Sequence, residues 1–429
     1  MLNRTATQAI QIYQVARFGA LLLASILLSK SGMDTADIGS YETCILIAGT
    51  FSFFWINGLT HTYLSQYRKS DDKARTNAAL FWSVVIISVM LFLLLAAARP
   101  AIENLFRIEL SGSAYGLFLL FFLVNNLAFL TDYFLLAQDN GKGLMRLSIF
   151  QVVVQTALIS IPAFIFRDFT SALAGATVFA TCKTLISLYL AYNSAAFRTD
   201  MARVQAFVRS SGPMILSFFL GGIAIYVDGI IVSNYYDKAT FATYQYGARE
   251  FPVSLLLANA FSAAMVAHIS TQPTDTEAVR RGSLQLIHRL FPVVILLAGV
   301  SYWLYPLVYN PQFQISYVYF NIYLLLIISR LVFPNSILLG LGHSRIIMRA
   351  AIVEFVLNIT ISLLLLQWIG LQGVAYGTVI ANFFNKGMLA YQLHALGVSP
   401  RQYIPFKALI MYGSILVIVF ITFTYLIHS

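Results

Sequence analysis

The chain has 429 residues, of which 59% are hydrophobic and 10% charged, against about 25% charged in an ordinary soluble domain. That composition excludes a soluble globular protein and points to a chain solvated mainly by lipid. The net charge of +10 would suit nucleic acid if it were gathered into one basic patch. Instead it is spread over short segments between apolar runs, which is a topology signal, and no nucleic-acid partner is expected.

The first residues, MLNRTATQAIQIYQVAR, are too polar to form the apolar core of a cleavable signal, so the first span is expected to be retained. Stretches of membrane length then fall at roughly 10–30, 40–65, 76–98, 113–137, 145–166, 170–193 and 211–235. Six more follow at roughly 240–269, 285–308, 314–340, 346–369, 371–394 and 404–427, which makes thirteen helices. The fold class is therefore an all-α polytopic membrane protein. Cys44 and Cys182 lie in separate apolar segments with no second ligand nearby, so neither a disulfide nor a metal is expected.

Assigning the 27 basic residues to loops or helix interiors orients the spans. Seventeen fall in loops on the amino-terminal side, among them Arg68, Lys69, Arg209, Arg280 and Arg401, and five lie opposite: Lys30, Arg99, Arg107, Arg167 and Lys238. Basic residues collect in cytoplasmic loops, so the amino terminus is expected in the cytoplasm.

Compared with itself, the chain repeats at an offset of 203 residues. Tyr41 then lies over Tyr244, Arg146 over Arg349 and Lys183 over Lys386. The offset divides the chain into two six-helix halves, 1–200 and 201–398, with an additional helix over 399–429. Six is even, so the halves share an orientation and should be related by an axis along the membrane normal, with substrate sites at the repeat interface. The copies differ where charge is concerned: Asp228 lies over Ser25, Arg249 over Leu46, Arg330 over Leu127, Glu354 over Gln151 and Pro252 over Gly49.

The stretch 213–269 joins two such segments and carries ionised side chains inside both. Asp228 is the one charge of PMILSFFLGGIAIYVDGIIV, and Arg249-Glu250 sits inside the next apolar run with Pro252 just after it. Proline lacks an N–H and clashes with the carbonyl four residues back, so a broken helix with a hinge at Pro252 is expected. Charges at membrane depth cost at least about 2.5 kcal/mol each, so they should face a wet cavity or one another.

The local marks are the turns Gly39-Ser40-Tyr41 and Ala242-Thr243-Tyr244, the polar hairpins DNGKG and GLGHSR, and GLQGVAYGTVIANF opening the twelfth span. In their order and with the six-plus-six repeat they resemble the multidrug/oligosaccharidyl-lipid/polysaccharide (MOP) flippase superfamily, and within it the bacterial O-antigen and capsular polysaccharide flippases. The resemblance covers about residues 10–395. It implies two six-helix halves around a central cavity that opens alternately to either face. It also implies an undecaprenyl-diphosphate-linked oligosaccharide as cargo, the bacterial inner membrane as location, and polysaccharide-assembly proteins as further partners beside membrane lipids.

Such a cargo has an anionic diphosphate and a polar glycan, neither of which crosses a hydrocarbon core of about 30 Å unaided. The basic residues within spans are Arg17, Lys183, Arg249, Arg330 and Lys386, and these are the candidates for an anion site. Arg offers a planar fork to phosphate and Lys a point charge. Each has a second reading: Arg17 could snorkel to the headgroups, Lys183 and Lys386 could sit in packing ion pairs, Arg249 could pair with Asp228, and Arg330 with Glu354. The interior acids Asp132, Asp228, Glu250 and Glu354 are candidates for coupling to H⁺ or Na⁺, Asp228 first because it stands alone in its span. Tyr226, Tyr244 and Tyr246 lie near the charged part of spans seven and eight and are candidate sugar contacts; interfacial belts account for most other aromatics.

No cofactor and no enzymatic activity are expected. His61, His268, His288, His343, His394 and His428 are scattered, and DNGKG lacks the GxxxxGK[ST] spacing of a phosphate loop. Two other readings stand beside the flippase. An ion-coupled drug or cation antiporter of the same superfamily would have its cargo repelled by the basic interior, and a polysaccharide polymerase or ligase would need a sizeable outer loop. Orientation is directly testable: a reporter fused after Arg75 or Arg209 should be cytoplasmic and one inserted near Lys238 or Asn310 external, and the reverse pattern would overturn the span assignment.

Overall fold

A computed structural model of the chain describes residues 4–194, 196–197, 201–249 and 251–426. The regular structure of the described residues is all helix, with no strand among them. In chain order the first helices are α1 (Arg4–Lys30), α2 (Thr35–Tyr67), α3 (Lys73–Ala97), α4 (Arg99–Leu105), α5 (Gly112–Ala137) and α6 (Gly141–Phe150). A π-helical segment, Gln151–Gln155, joins α6 to α7 (Thr156–Phe166), and α8 (Phe169–Asn193), α9 (Met201–Gly222), α10 (Ala224–Tyr235) and α11 (Lys238–Gly247) follow. Then come α12 (Pro252–Thr271), α13 (Thr276–Val308), α14 (Ser316–Leu324), α15 (Leu326–Arg330) and α16 (Pro334–Gly340). The chain continues through α17 (Ser344–Ile369), α18 (Leu371–Ala395), α19 (Pro400–Tyr403) and α20 (Phe406–Ile421).

Ten of the described helical stretches are long and apolar enough to cross a membrane, or twelve if each of two bent pairs counts as one span. The protein is thus a multi-pass membrane protein. Each of the thirteen sequence-predicted spans falls on helix, but 371–394 is less apolar than the rest. It forms the unbroken α18, whose Asn382, Asn385 and Lys386 take part in the polar interactions described below. The predicted span 240–269 is two helices. The chain leaves helix after Gly247, Phe251 is extended at φ −61° and ψ 111°, and Pro252 opens α12. A helix start needs no N–H at that position, so proline initiates there at no loss. A second proline, Pro334, opens α16 after α14 and α15, and the paired segments are bent by 44°.

The chain forms two compact units. One comprises the described part of Met1–Tyr226 with Ser233–Ala242, the other Val227–Val232 with the described part of Thr243–Ser429. The first has a core built on Trp55, Leu59, Tyr63, Leu80, Phe81 and Phe134, and the second one on Val279, Ile287, Phe291, Leu331, Phe333 and Ile337. Lipid tails are as apolar as these side chains, so burial alone does not hold the helices together. Close packing of small residues and interhelical hydrogen bonds, about 0.6 kcal/mol each on average, do.

Both devices are visible in each unit. In the first, Thr131 and Thr184 donate to the carbonyls of Lys183 and Val124 at 2.8 and 2.7 Å, tying α5 to α8, and Ser52 donates to Asn126 at 2.7 Å. Gly175 of α8 lies directly beneath the Leu158 carbonyl of α7. In the second unit, Gly373 and Gly377 of α18 form a Gly-x-x-x-Gly stripe against α17, where a Cβ would strike the Leu365 and Ser362 backbone. Ser362 in turn donates to the Val374 carbonyl at 3.2 Å. Gly377→Ala is therefore expected to lower folded yield and thermal midpoint in detergent, at about 1–3 kcal/mol for the overpacking. Gly116→Ala, with nothing within 4 Å of the new Cβ, should match or slightly exceed the parent, and equal behaviour of the two variants would refute this packing account.

Candidate functional site

Each unit holds a cluster of ionised side chains at membrane depth. In the first unit α1 contributes Tyr13 and Arg17, α5 contributes Phe129 and Asp132, α8 contributes Lys183, and the π-helical segment contributes Gln151 and Gln155. The Lys183 ammonium is 2.7 Å from Asp132 Oδ1 and donates to the Tyr13 hydroxyl at 3.3 Å. Tyr13 donates to Gln151 Oε1 at 3.4 Å, and Gln151 Nε2 donates to Gln155 Oε1 at 2.7 Å. The Arg17 guanidinium lies over the Phe129 ring at 4.9 Å, a cation–π placement that the notion of snorkelling does not require. The π segment widens the helix by a residue and sets both glutamines, four apart, on the face toward this network.

The second unit has a cluster of the same kind on different residues. Lys386 of α18 donates to Asn335 Oδ1 at 3.2 Å. Glu354 of α17 accepts from Asn382 Nδ2 at 3.0 Å and from Asn385 Nδ2, and Asn382 Oδ1 accepts from Ser329 at 2.7 Å. Arg330, at the end of α15, acts electrostatically on both Glu354 and Lys386. Each cluster therefore gathers one Arg, one Lys and one carboxylate, an excess of one positive charge, while Glu42 in the first unit and Asp228 and Arg249 in the second stand outside them.

Asp228 belongs to the second unit and is 5% exposed. Its Oδ2 accepts hydrogen bonds from the hydroxyls of Tyr323 and Thr378. Tyr323 is also 3.1 Å from the Tyr244 hydroxyl, and Thr378 accepts from Asn358 Nδ2 at 2.8 Å. A carboxylate in a shell of hydroxyls and amides is a ready place for a proton or a small cation, since neutral oxygens can turn their lone pairs inward.

Arg249 lies in the non-helical stretch just before Pro252, with its guanidinium 4.7 Å over the Tyr246 ring. Tyr246 stacks on Phe313 at 4.7 Å and meets Tyr309 at 5.1 Å, so the arginine rests on an aromatic pedestal. Among the predicted sugar contacts, Tyr244 and Tyr246 are fully buried, one in the Asp228 hydroxyl network and the other in this pedestal. Tyr226, in the first unit, is partly exposed and stacks on Phe53 at 4.6 Å. Glu250 lies outside the described residues.

The structure thus brings Arg17, Asp132 and Lys183 together, and separately Arg330, Glu354 and Lys386. Sequence reasoning passed over the neutral members: Tyr13, Gln155, Tyr323, Asn335, Asn358, Thr378, Asn382 and Asn385. Two signals could have found them. Asn335 stands over Asp132 at the 203-residue offset, and Thr378, Asn382 and Asn385 follow helical spacing on one face of α18.

Residues 10–259 match the family described as polysaccharide biosynthesis protein. No curated protein matches the sequence. In fold the chain is similar to the lipid II flippase MurJ in an inward closed conformation, at 15% identity and a TM-score of 0.74 over 99% of this chain and 94% of that one. It is also similar to an inward-facing multidrug resistance MATE family transporter of the MOP superfamily, at 14% identity and a TM-score of 0.62 over 91% and 99% of the two chains. A variant of the Vibrio cholerae MATE transporter VcmN follows at 15% identity and a TM-score of 0.58, over 91% and 97%. With a family match over more than half of its length, the chain belongs to the polysaccharide biosynthesis protein family.

Proposed function

We propose that the protein is a flippase for a lipid-linked oligosaccharide, carrying an undecaprenyl-diphosphate-linked glycan across the bacterial inner membrane for O-antigen, capsule or exopolysaccharide assembly. The observation that carries the reading is that each of the two clusters sets an arginine and a lysine against a single carboxylate. A surplus positive charge in a low-dielectric interior favours an anion strongly and repels a cation. A diphosphate is the anion such a cargo presents, and the match to a polysaccharide biosynthesis family supports a glycan as the rest of it. The amino terminus is placed in the cytoplasm on the distribution of basic loops.

Asp228 is the proposed coupling acid, for H⁺ or Na⁺, on account of its hydroxyl shell. The same shell is the feature that favours the second reading, an ion-coupled antiporter, which the fold likeness to multidrug resistance transporters also supports. The two readings separate on cargo charge: a cation carrier has no use for two clusters with a cationic surplus.

Arg249 is proposed to take one phosphoryl group of the cargo. It stands beside a backbone break, its guanidinium rests 4.7 Å over the Tyr246 ring, and its planar fork suits two phosphoryl oxygens. Removing the protein should cause a lipid-linked glycan to accumulate on the cytoplasmic face. In the complemented strain, Arg249→Ala should reduce export about tenfold or more, the worth of a charge-assisted pair, and Arg249→Lys should retain part of it because the fork is lost. Asp228→Asn combined with Arg249→Ala should be folded and inactive. Full export by that double variant, at equal expression, would sink the assignment of Arg249.

A further inference from the structure

The two charge clusters are equal in sum but not in how the lysine is satisfied. Lys183 is 4% exposed and its ammonium is held 2.7 Å from Asp132 Oδ1. Lys386 is partly exposed, donates to the neutral amide oxygen of Asn335 at 3.2 Å, and has no carboxylate at salt-bridge distance among the described residues. Glu354, the acid of that cluster, has its oxygens occupied by the Asn382 and Asn385 amides.

The cause is an exchange of acid and amide between the repeats. Asp132 becomes Asn335 at the 203-residue offset, and Gln151 becomes Glu354, while the lysine is kept as Lys386. An ammonium against a carboxylate has its charge cancelled at contact. One whose direct partner is an amide oxygen keeps its charge and two further N–H bonds for an anion.

We infer that Lys386 takes a phosphoryl oxygen of the anionic ligand, that Asn335 is the positioning residue keeping its ammonium available, and that Lys183 is a fixed partner of Asp132. For the identity of that ligand as the cargo's diphosphate, the inference rests on the flippase reading. An anionic lipid headgroup would present the same phosphoryl chemistry, and the test separates the two.

The full-length protein in phosphatidylcholine nanodiscs is titrated with inorganic diphosphate. Asn335→Asp recreates the Asp132 arrangement around Lys386 and should weaken binding about tenfold, as should Lys386→Gln. The two together should cost no more than either alone, the non-additivity expected of one interaction. Asp132→Asn with Lys183→Gln removes the other pair without stranding a charge, and should stay within about threefold of the parent. Thermal midpoints without ligand exclude loss of fold; if Asn335→Asp does not fold, the comparison of Lys386→Gln with the Asp132/Lys183 double variant decides alone. Undiminished affinity in Asn335→Asp, equal loss in the Asp132/Lys183 double variant, or no diphosphate binding by the parent would each overturn the inference. Displacement of bound diphosphate by phosphatidylglycerol in the discs would assign Lys386 to a headgroup and overturn its assignment to cargo. Glycan export in cells is scored separately: export without diphosphate affinity overturns the inference alone, and Lys386-dependent affinity without export overturns the transport reading alone.

Discussion

Hydrocarbon offers no hydrogen bonds, so each ionised side chain at membrane depth must be satisfied by groups of the protein itself. Much of what distinguishes this structure follows from that one constraint. Asp132 is answered by Lys183, Asp228 by two hydroxyls, Glu354 by two amides, and Arg17 and Arg249 by aromatic faces. These are different solutions with different consequences. A direct ion pair cancels charge and fixes geometry. A shell of neutral groups leaves the charge in place, which is what binding an ion or an anion requires.

The same constraint explains where the helices break. A carbonyl freed by proline needs a partner or water, so a break within a span is tolerated only where the surroundings are already polar. Arg249 precedes Pro252 by three residues, and Arg330 precedes Pro334 by four. Both arginines therefore stand at interrupted backbone, and Asn335 follows the second interruption directly. In the first half the position equivalent to Pro334 is Thr131, α5 runs unbroken through it, and the threonine hydroxyl ties that helix to the Lys183 carbonyl instead. The repeat has thus diverged in backbone as well as in charge.

How much of this was legible in the sequence depends on the kind of signal. Membrane spans are long and their apolarity is strong, so each one fell on helix, and the break at Pro252 could be placed because proline's effect on a backbone is local. The bend at Pro334 was as readable in principle. Its proline sits closer to the end of a span, where it looks like a terminus and not an interruption. Charged site residues stood out against an apolar background, whereas Asn335, Asn382 and Thr378 did not, since neutral polar residues are common on helices that pack in lipid. Which acid faces which base is a matter of helix rotation and depth. Sequence spacing constrains the first within one helix only, and for that reason the Asp132–Lys183 pair and the amide shell of Glu354 are not readable from the sequence.

If charge balance were set only by the cost of burying ions, the two copies of the repeat could have kept the same acid at the same place, since the lysine was kept. Instead the sum is held while its parts have moved: the acid has left the lysine in one unit, and the arginine comes from α1 in one and α15 in the other. A requirement on net charge explains equal sums, but it says nothing of position. Different positions with equal sums fit a surplus charge that each cluster presents on its own side chain, an arginine beside a neutralised lysine in the first and a lysine beside an amide in the second.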